Sequence, residues 1–235
     1  MTSFGERGDS FGERVRAGIA AHGRMCVGID PHVALLQAWG LDASAEGARE
    51  FGLRVVEAAA GRIAIVKPQV SFFERYGSAG FAALGVGTLE GTFDLALRSG
   101  KGVFVLAATS NPDAFTAQRA RLGSGETVSG AIVREVSERS ARTTPEGEWA
   151  SLGFVIGGTV EWADAGLRPF APVAPLLGPG FGHQGAEPEH VLSRFGEMAP
   201  AVIASESRSI LAAGPDRLAA RISERALLYR GDRHA

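Results

Sequence analysis

Ile63-Ala-Ile-Val-Lys-Pro-Gln-Val-Ser-Phe-Phe-Glu74 is the stretch on which the fold turns. Ile63, Ile65 and Val66 make a short apolar run of the kind a buried strand needs, and Lys67 follows at its C-terminal end with Pro68 behind it. Chemistry in α/β folds collects at the C-terminal ends of the strands, so a lysine placed there is a candidate for holding an anionic or polar ligand. The alternative is a lysine whose stem runs past the strand end and whose head reaches water. Lys67 is one of two lysines in the 235 residues. The other, Lys101, opens the strand at Val103, at the opposite end from the ligand loops, and arginine supplies the remaining positive charge.

Working outward, the same pattern recurs. Arg24 to Asp30 predicts a strand ending in Asp30 and Pro31, and Ser44 to Ala60 an amphipathic helix with Ser44 as its N-cap. Ser71 to Leu84 and Thr88 to Ser99 read as helices, Val103 to Ser110 as a strand, and Thr127 to Ala141 as a helix. Leu152 to Gly158 predicts a strand, Leu176 to Gly182 a short strand breaking into a Gly-rich loop, Ala201 to Ser207 a further strand, and Gly214 to Tyr229 a closing helix. This alternation predicts one α/β domain over residues 1–235. It supplies about six strand and helix units where an eightfold barrel has eight. The alternation fails at Leu84-Gly-Val-Gly-Thr88, where two helices meet with no strand between them. An incomplete or distorted barrel with open edges is the expectation.

Composition narrows the partners. With 45% hydrophobic and 21% charged residues and a net charge of −2, the chain has the make-up of an ordinary globular protein, and without a basic run it is expected to bind no nucleic acid. No apolar stretch reaches the roughly 18 to 20 residues of a membrane span, and the charged N-terminus is unlike a signal segment, so a cytoplasmic protein is expected. A single cysteine, Cys26, rules out an internal disulfide framework and a cysteine-rich zinc site. Within Met25-Cys-Val-Gly-Ile29 it reads as a small core residue.

Three segments carry binding chemistry. Asp30 at a strand end offers a carboxylate to ligand hydroxyls, or else forms a turn before Pro31. In Pro179-Gly-Phe-Gly-His-Gln-Gly185 the glycines, Gly182 and Gly185 among them, let backbone amides approach an anion, and Gln184 adds an amide donor. Arg208, in Ser205-Glu-Ser-Arg-Ser-Ile210, brings a guanidinium suited to a phosphate beside that loop. The competing reading is a surface arginine and a glycine turn.

Taken in order, Gly28-Ile-Asp-Pro-His32, Val66 to Glu74, Leu106-Ala-Ala-Thr-Ser-Asn-Pro112, Pro179 to Gly185 and Ser207-Arg-Ser209 resemble the orotidine 5′-phosphate decarboxylase family, from Phe11 to about Tyr229. The likeness is to the bacterial subgroup with Lys-Pro-Gln and Thr-Ser-Asn-Pro signatures. It implies a TIM (β/α) barrel that converts orotidine 5′-monophosphate (OMP) to UMP and carbon dioxide in pyrimidine nucleotide synthesis. It also implies no metal, no organic cofactor, and a homodimer with active sites at its interface. By the same resemblance Asp30 and Lys67 hold the ribose hydroxyl region and Ser110 contacts the pyrimidine ring. Pro179 opens the substrate loop, and Gly182, Gln184, Gly185 and Arg208 grip the 5′-phosphate.

The family's chemistry rests on an Asp-x-Lys-x-x-Asp element at the end of the third strand, whose lysine protonates C6 as carbon dioxide leaves. This sequence lacks it; Asp94 and Arg98 do not reproduce the spacing. The third and fourth strands, with that lysine and both aspartates, are expected to be missing between Leu84 and Gly85. Three functions follow as expectations: a decarboxylase homologue with weak or no turnover, a non-catalytic OMP- and UMP-binding relative or internally deleted gene product, and a regulatory or structural partner of an intact homologue.

Overall fold

The computed structural model describes residues 9–69, 72–73, 75–76, 100–109, 111 and 114–230. In chain order these form α1 (Phe11–His22), β1 (Met25–Ile29), α2 (Val33–Ala38), α3 (Ala45–Ala59), β2 (Ile65–Pro68), β3 (Val103–Ala108), α4 (Phe115–Arg119) and α5 (Val128–Ala141). There follow β4 (Leu152–Ile156), α6 (Trp162–Ala165), β5 (Leu176–Pro179), α7 (His190–Phe195), a 3-10 helix (Gly196–Ala201), β6 (Val202–Glu206), α8 (Arg208–Leu211) and α9 (Leu218–Leu228). The helices expected over 71–84 and 88–99, the junction of Leu84 and Gly85, and Ser110 lie outside the described residues, apart from Phe72, Phe73, Arg75 and Tyr76.

Two compact units divide these elements. The first takes the described residues of Gly18–Leu89, Gly180–Glu189 and Ala204–Ala235. Its centre is β1, buried at all five positions because it is paired on both sides. Parallel ladders run to β2, with Gly28 opposite Lys67, and to β6, with Val27 opposite Glu206. Gly28 leaves room for the residue after β6: a Cβ there would come 1.8 Å from Ser207 Oγ and 2.9 Å from Ser207 Cβ, so any side chain would have to displace Ser207. Helix α3 begins as expected, with the Ser44 side chain accepting a hydrogen bond from the Gly47 amide at 3.0 Å. It buries Ala48, Phe51, Val55 and Ala59 on one face. Burying Phe51 and Val55, both fully enclosed, stabilises the unit by roughly 1.5 to 3 kcal/mol each. Leu218, Ile222 and Ala226, four residues apart, turn α9 against α3 and β1.

The second unit takes the described residues of Met1–Ala17, Glu90–Pro179 and His190–Ile203. Here β4 pairs in parallel with β3 on one side and β5 on the other. The expected helix over 127–141 is α5. Its cap, Thr127, accepts from the Gly130 amide at 3.0 Å and donates to the Ala165 carbonyl at 2.7 Å, tying α5 to the end of α6. Ser129 donates to the Ala107 carbonyl at 2.6 Å and anchors the same helix to β3.

Each expected strand is present but shorter. Pro31 has no amide to continue the β1 ladder, so Asp30 falls just past the strand. Ile63 is spent on α3, its amide bonding the Ala59 carbonyl at 3.3 Å, and β2 starts at Ile65. Gly180 adopts φ 107° and ends β5 at Pro179. Helix α1 was not expected, because it buries only Gly12 and Val15 and so shows no apolar face. Gly12 is forced by sterics: a Cβ would lie 2.2 Å from the Trp149 carbonyl oxygen.

Candidate functional site

The C-terminal ends of β1, β2 and β6 all belong to the first unit and carry the polar residues singled out in the sequence. The register that sets Gly28 beside Lys67 leaves the lysine side chain free to reach past β1 toward Asp30. Lys67 Nζ lies 3.9 Å from Asp30 Oδ1 and donates a hydrogen bond to Gln69 Oε1 at 3.0 Å. The side chains are 25% and 16% exposed. Asp30 Oδ1 is buried and has no hydrogen-bond partner among the described residues. A carboxylate oxygen in that state is costly unless something donates to it, and a ligand hydroxyl is a suitable donor.

The loop after β5 is closed on itself. The Gly182 amide donates to the Ala186 carbonyl at 2.7 Å, Ala186 to Gly180 at 3.1 Å, and Gly185 to Gly182 at 3.0 Å. Gly182 and Gly185 have φ of 70° and 93°, a region that favours glycine. Gln184 and Gly185 are exposed. Arg208, the first residue of α8, is exposed; its carbonyl accepts from the Ala212 amide at 3.1 Å, and its guanidinium makes no hydrogen bond or ion pair among the described residues. It adjoins the loop through its neighbour, since a Cβ on Gly182 would come 2.7 Å from Ser209 Oγ. Asp30 and Ser207 flank Gly28 on the same side, its notional Cβ lying 3.4 Å from Asp30 Oδ2 and 1.8 Å from Ser207 Oγ. Asp30, Lys67, Gly182, Gln184, Gly185 and Arg208 thus all belong to the first unit, with Asp30 facing Lys67 and Gly182 packed against Ser209, the neighbour of Arg208. Pro179 ends β5 in the other unit, where its carbonyl accepts from the Gly158 amide at 2.7 Å. Ser110 lies outside the described residues.

Sequence reasoning missed a buried charge cluster beneath this loop. Glu206, wholly enclosed at the end of β6, accepts from Tyr229 Oη at 2.6 Å, Ser209 Oγ at 2.6 Å and Arg225 Nε at 3.0 Å. Arg225 reaches on to Glu187 at 3.2 Å. Burial alone would lower the Arg225 pKa, but the hydrogen bonds and charge of Glu206, with Glu187 behind them, raise it overall. Burial, and then the charge of Glu206, push the Tyr229 phenol up. The one available signal was Glu206 itself, an acid closing an apolar strand.

Cys26 is a core residue, as expected, and burial pushes its thiol from 9.0 up to about 12. The folded chain thus holds this proton where the unfolded chain releases it. The stability this confers is complete below pH 9.0 and is lost as pH rises from there toward about 12. Tyr229, also raised, acts in the same direction. Urea unfolding is therefore expected to show a free energy that falls above about pH 9, with a shallower fall in Cys26→Ala.

Among the described residues no group of three or more His, Cys, Asp or Glu could hold a metal ion, and no helix is long and apolar enough to cross a membrane. No family model matches the chain. Among curated relatives, orotidine 5′-phosphate decarboxylase of Salinispora arenicola is 38% identical over 265 residues, covering 91% of this chain and 94% of its own. That of Corynebacterium efficiens is 35% identical over 278 residues, covering 94% and 98%. Among solved structures, a Streptomyces avermitilis protein described as an orotidine 5′-phosphate decarboxylase matches with a TM-score of 0.85 and 29% identity over 100% of both chains. Leishmania donovani OMP decarboxylase matches with a TM-score of 0.66 over 95% of this chain and 99% of its own, at 21% identity a likeness of fold alone. The α/β class expected from the sequence is the one these structures share with the chain.

Proposed function

The chain belongs to the orotidine 5′-phosphate decarboxylase family, and from that premise we propose that it binds OMP and UMP without the proton donor that decarboxylation requires. The carrying observation is Asp30 Oδ1, buried without a hydrogen bond and 3.9 Å from the Lys67 Nζ it faces as an ion pair, in the same unit as the glycine loop and Arg208. In this reading Asp30 accepts from a ribose hydroxyl and Lys67 donates to the same sugar. The Gln184 side chain and the Arg208 guanidinium hold the 5′-phosphate, the guanidinium by paired charge-assisted bonds, while Gly182 and Gly185, whose amides close the loop on itself, give it the shape that admits the anion. Ser110 addresses the pyrimidine ring. No metal or organic cofactor takes part.

Loss of carbon dioxide leaves negative charge at C6, which needs a cation beside that carbon and a proton within hydrogen-bond reach. Lys67 is committed to the sugar side and to Gln69. Lys101 is exposed and precedes β3, at its N-terminal end. An arginine holds its proton too tightly to deliver it near neutral pH. The six strands among the described residues support a barrel short of its full complement. So does a match to the Salinispora relative that runs over 265 residues, longer than the chain's own 235. We read the chain as one cytoplasmic domain, homodimeric, with the catalytic segment absent between Leu84 and Gly85.

Calorimetry with UMP and with uridine tests the binding half. UMP is expected to bind more tightly than uridine, and Arg208→Ala to weaken UMP by about 30- to 100-fold, in line with charge-assisted bonds of roughly 2 to 3 kcal/mol. Uridine affinity should not change. Absence of UMP binding at millimolar concentration, or an equal effect on uridine, contradicts the reading.

A further inference from the structure

Glu206 has no capacity left for a ligand. Its Oε1 accepts from Tyr229 Oη and Arg225 Nη2, and its Oε2 from Ser209 Oγ and Arg225 Nε. A buried carboxylate so fully engaged does not act on substrate; its effect has to pass through what it holds. What it holds is the glycine loop, at three points. Phe181, itself buried, meets the Tyr229 ring edge to face with centroids 6.0 Å apart. Gly182 packs directly on the carboxylate and its partner, a notional Cβ lying 2.9 Å from Glu206 Oε2 and 2.7 Å from Ser209 Oγ. Glu187, just past the loop, pairs with Arg225 at 3.2 Å. The same cluster fixes the chain on the other side, because Ser209 follows Arg208 and its carbonyl accepts from Arg221 Nε at 3.1 Å. Arg221, Arg225 and Tyr229 recur every four residues along one face of α9 and its C-terminal cap.

We infer that Glu206, locked by Arg225 and Tyr229, is a positioning residue that holds the glycine loop and Arg208 in mutual register as a preformed phosphate cradle. The inference deepens the proposed function and rests on it for the identity of the ligand. Both halves of the cradle are individually weak: the loop is short and glycine-rich, and Arg208 is exposed and unpaired. A carboxylate between them replaces freedom that would otherwise be lost on binding, which raises affinity for the phosphate and not for the nucleoside.

Tyr229→Phe tests this gently, since it deletes one hydroxyl and keeps the ring against Phe181. Three readouts are taken: UMP affinity, uridine affinity, and amide hydrogen exchange over residues 180–186. The expected result is a threefold to tenfold loss for UMP, of the order of an ordinary net hydrogen bond because the hydroxyl acts on the phosphate only through the loop, no change for uridine, and faster exchange in the loop with β1 unaffected. Arg225→Met should act in the same direction and Arg225→Lys should recover part of the loss. Unchanged loop exchange in folded Tyr229→Phe overturns the inference, as does an equal loss for UMP and uridine. If the unaltered protein binds no UMP, the functional reading fails, and the exchange comparison still decides whether Glu206 orders the loop.

Discussion

Glu206→Ala is expected to lower the free energy of unfolding by about 3 to 5 kcal/mol, the cost of stranding a buried charge by removing its partner. The substitution leaves the Arg225 guanidinium, 13% exposed, with only the half-exposed Glu187 to pair with, and deprives Tyr229 Oη and Ser209 Oγ of their acceptor. For a chain of this length such a loss corresponds to a melting temperature lower by on the order of 10 °C. Exposed pairs are a useful contrast. Breaking Arg54 and Glu50, which face each other at 2.9 Å on the outside of α3 with both side chains well exposed, should change stability by about 0.5 kcal/mol or less. Urea denaturation of both variants measures the difference. A Glu206→Ala loss no larger than that of Arg54→Ala would show that the cluster contributes nothing beyond a surface pair.

That cluster also marks where the sequence stops being legible. Positions governed by neighbours in the chain were readable: Ser44 was legible as the cap it proves to be, and periodicity placed the start of α5 at Thr127, which caps that helix through its side-chain oxygen. The apolar runs gave all six strands of the described residues, with ends in error where a proline, a glycine or a helix terminus claimed the last residue. Helix α1 was not readable, because the contacts that keep it, such as the Glu13 carboxylate accepting from the Trp149 amide at 2.8 Å, come from residues 136 positions away. Arg225 and Tyr229 were hidden for the same reason. On α9 they look like ordinary surface positions, and only the parallel pairing of β6 with β1 carries Glu206 to them. Of the site, Asp30, Lys67, the glycine loop and Arg208 were recognisable as strand-end and loop chemistry. That Asp30 Oδ1 lacks a hydrogen bond was not, since it depends on Lys67 turning to Gln69.

OMP is expected to survive incubation with this protein. A positioned general acid contributes about 10²- to 10⁴-fold to a reaction rate, and a charge aimed at the developing carbanion adds a comparable factor. The chain has two lysines with which to supply either. Lys67 is hydrogen-bonded to Gln69 and faces Asp30, and Lys101 is exposed ahead of β3. On the proposed reading, phosphate binding energy that an intact site directs toward the ring has no reacting group to act through, and binding and turnover separate. The most direct measurement follows the ultraviolet absorbance of OMP in the presence of the purified protein at a concentration that saturates with UMP. A decay no faster than the protein-free control is the predicted result. A loss of absorbance that scales with the amount of protein, with UMP as the product, would contradict the account.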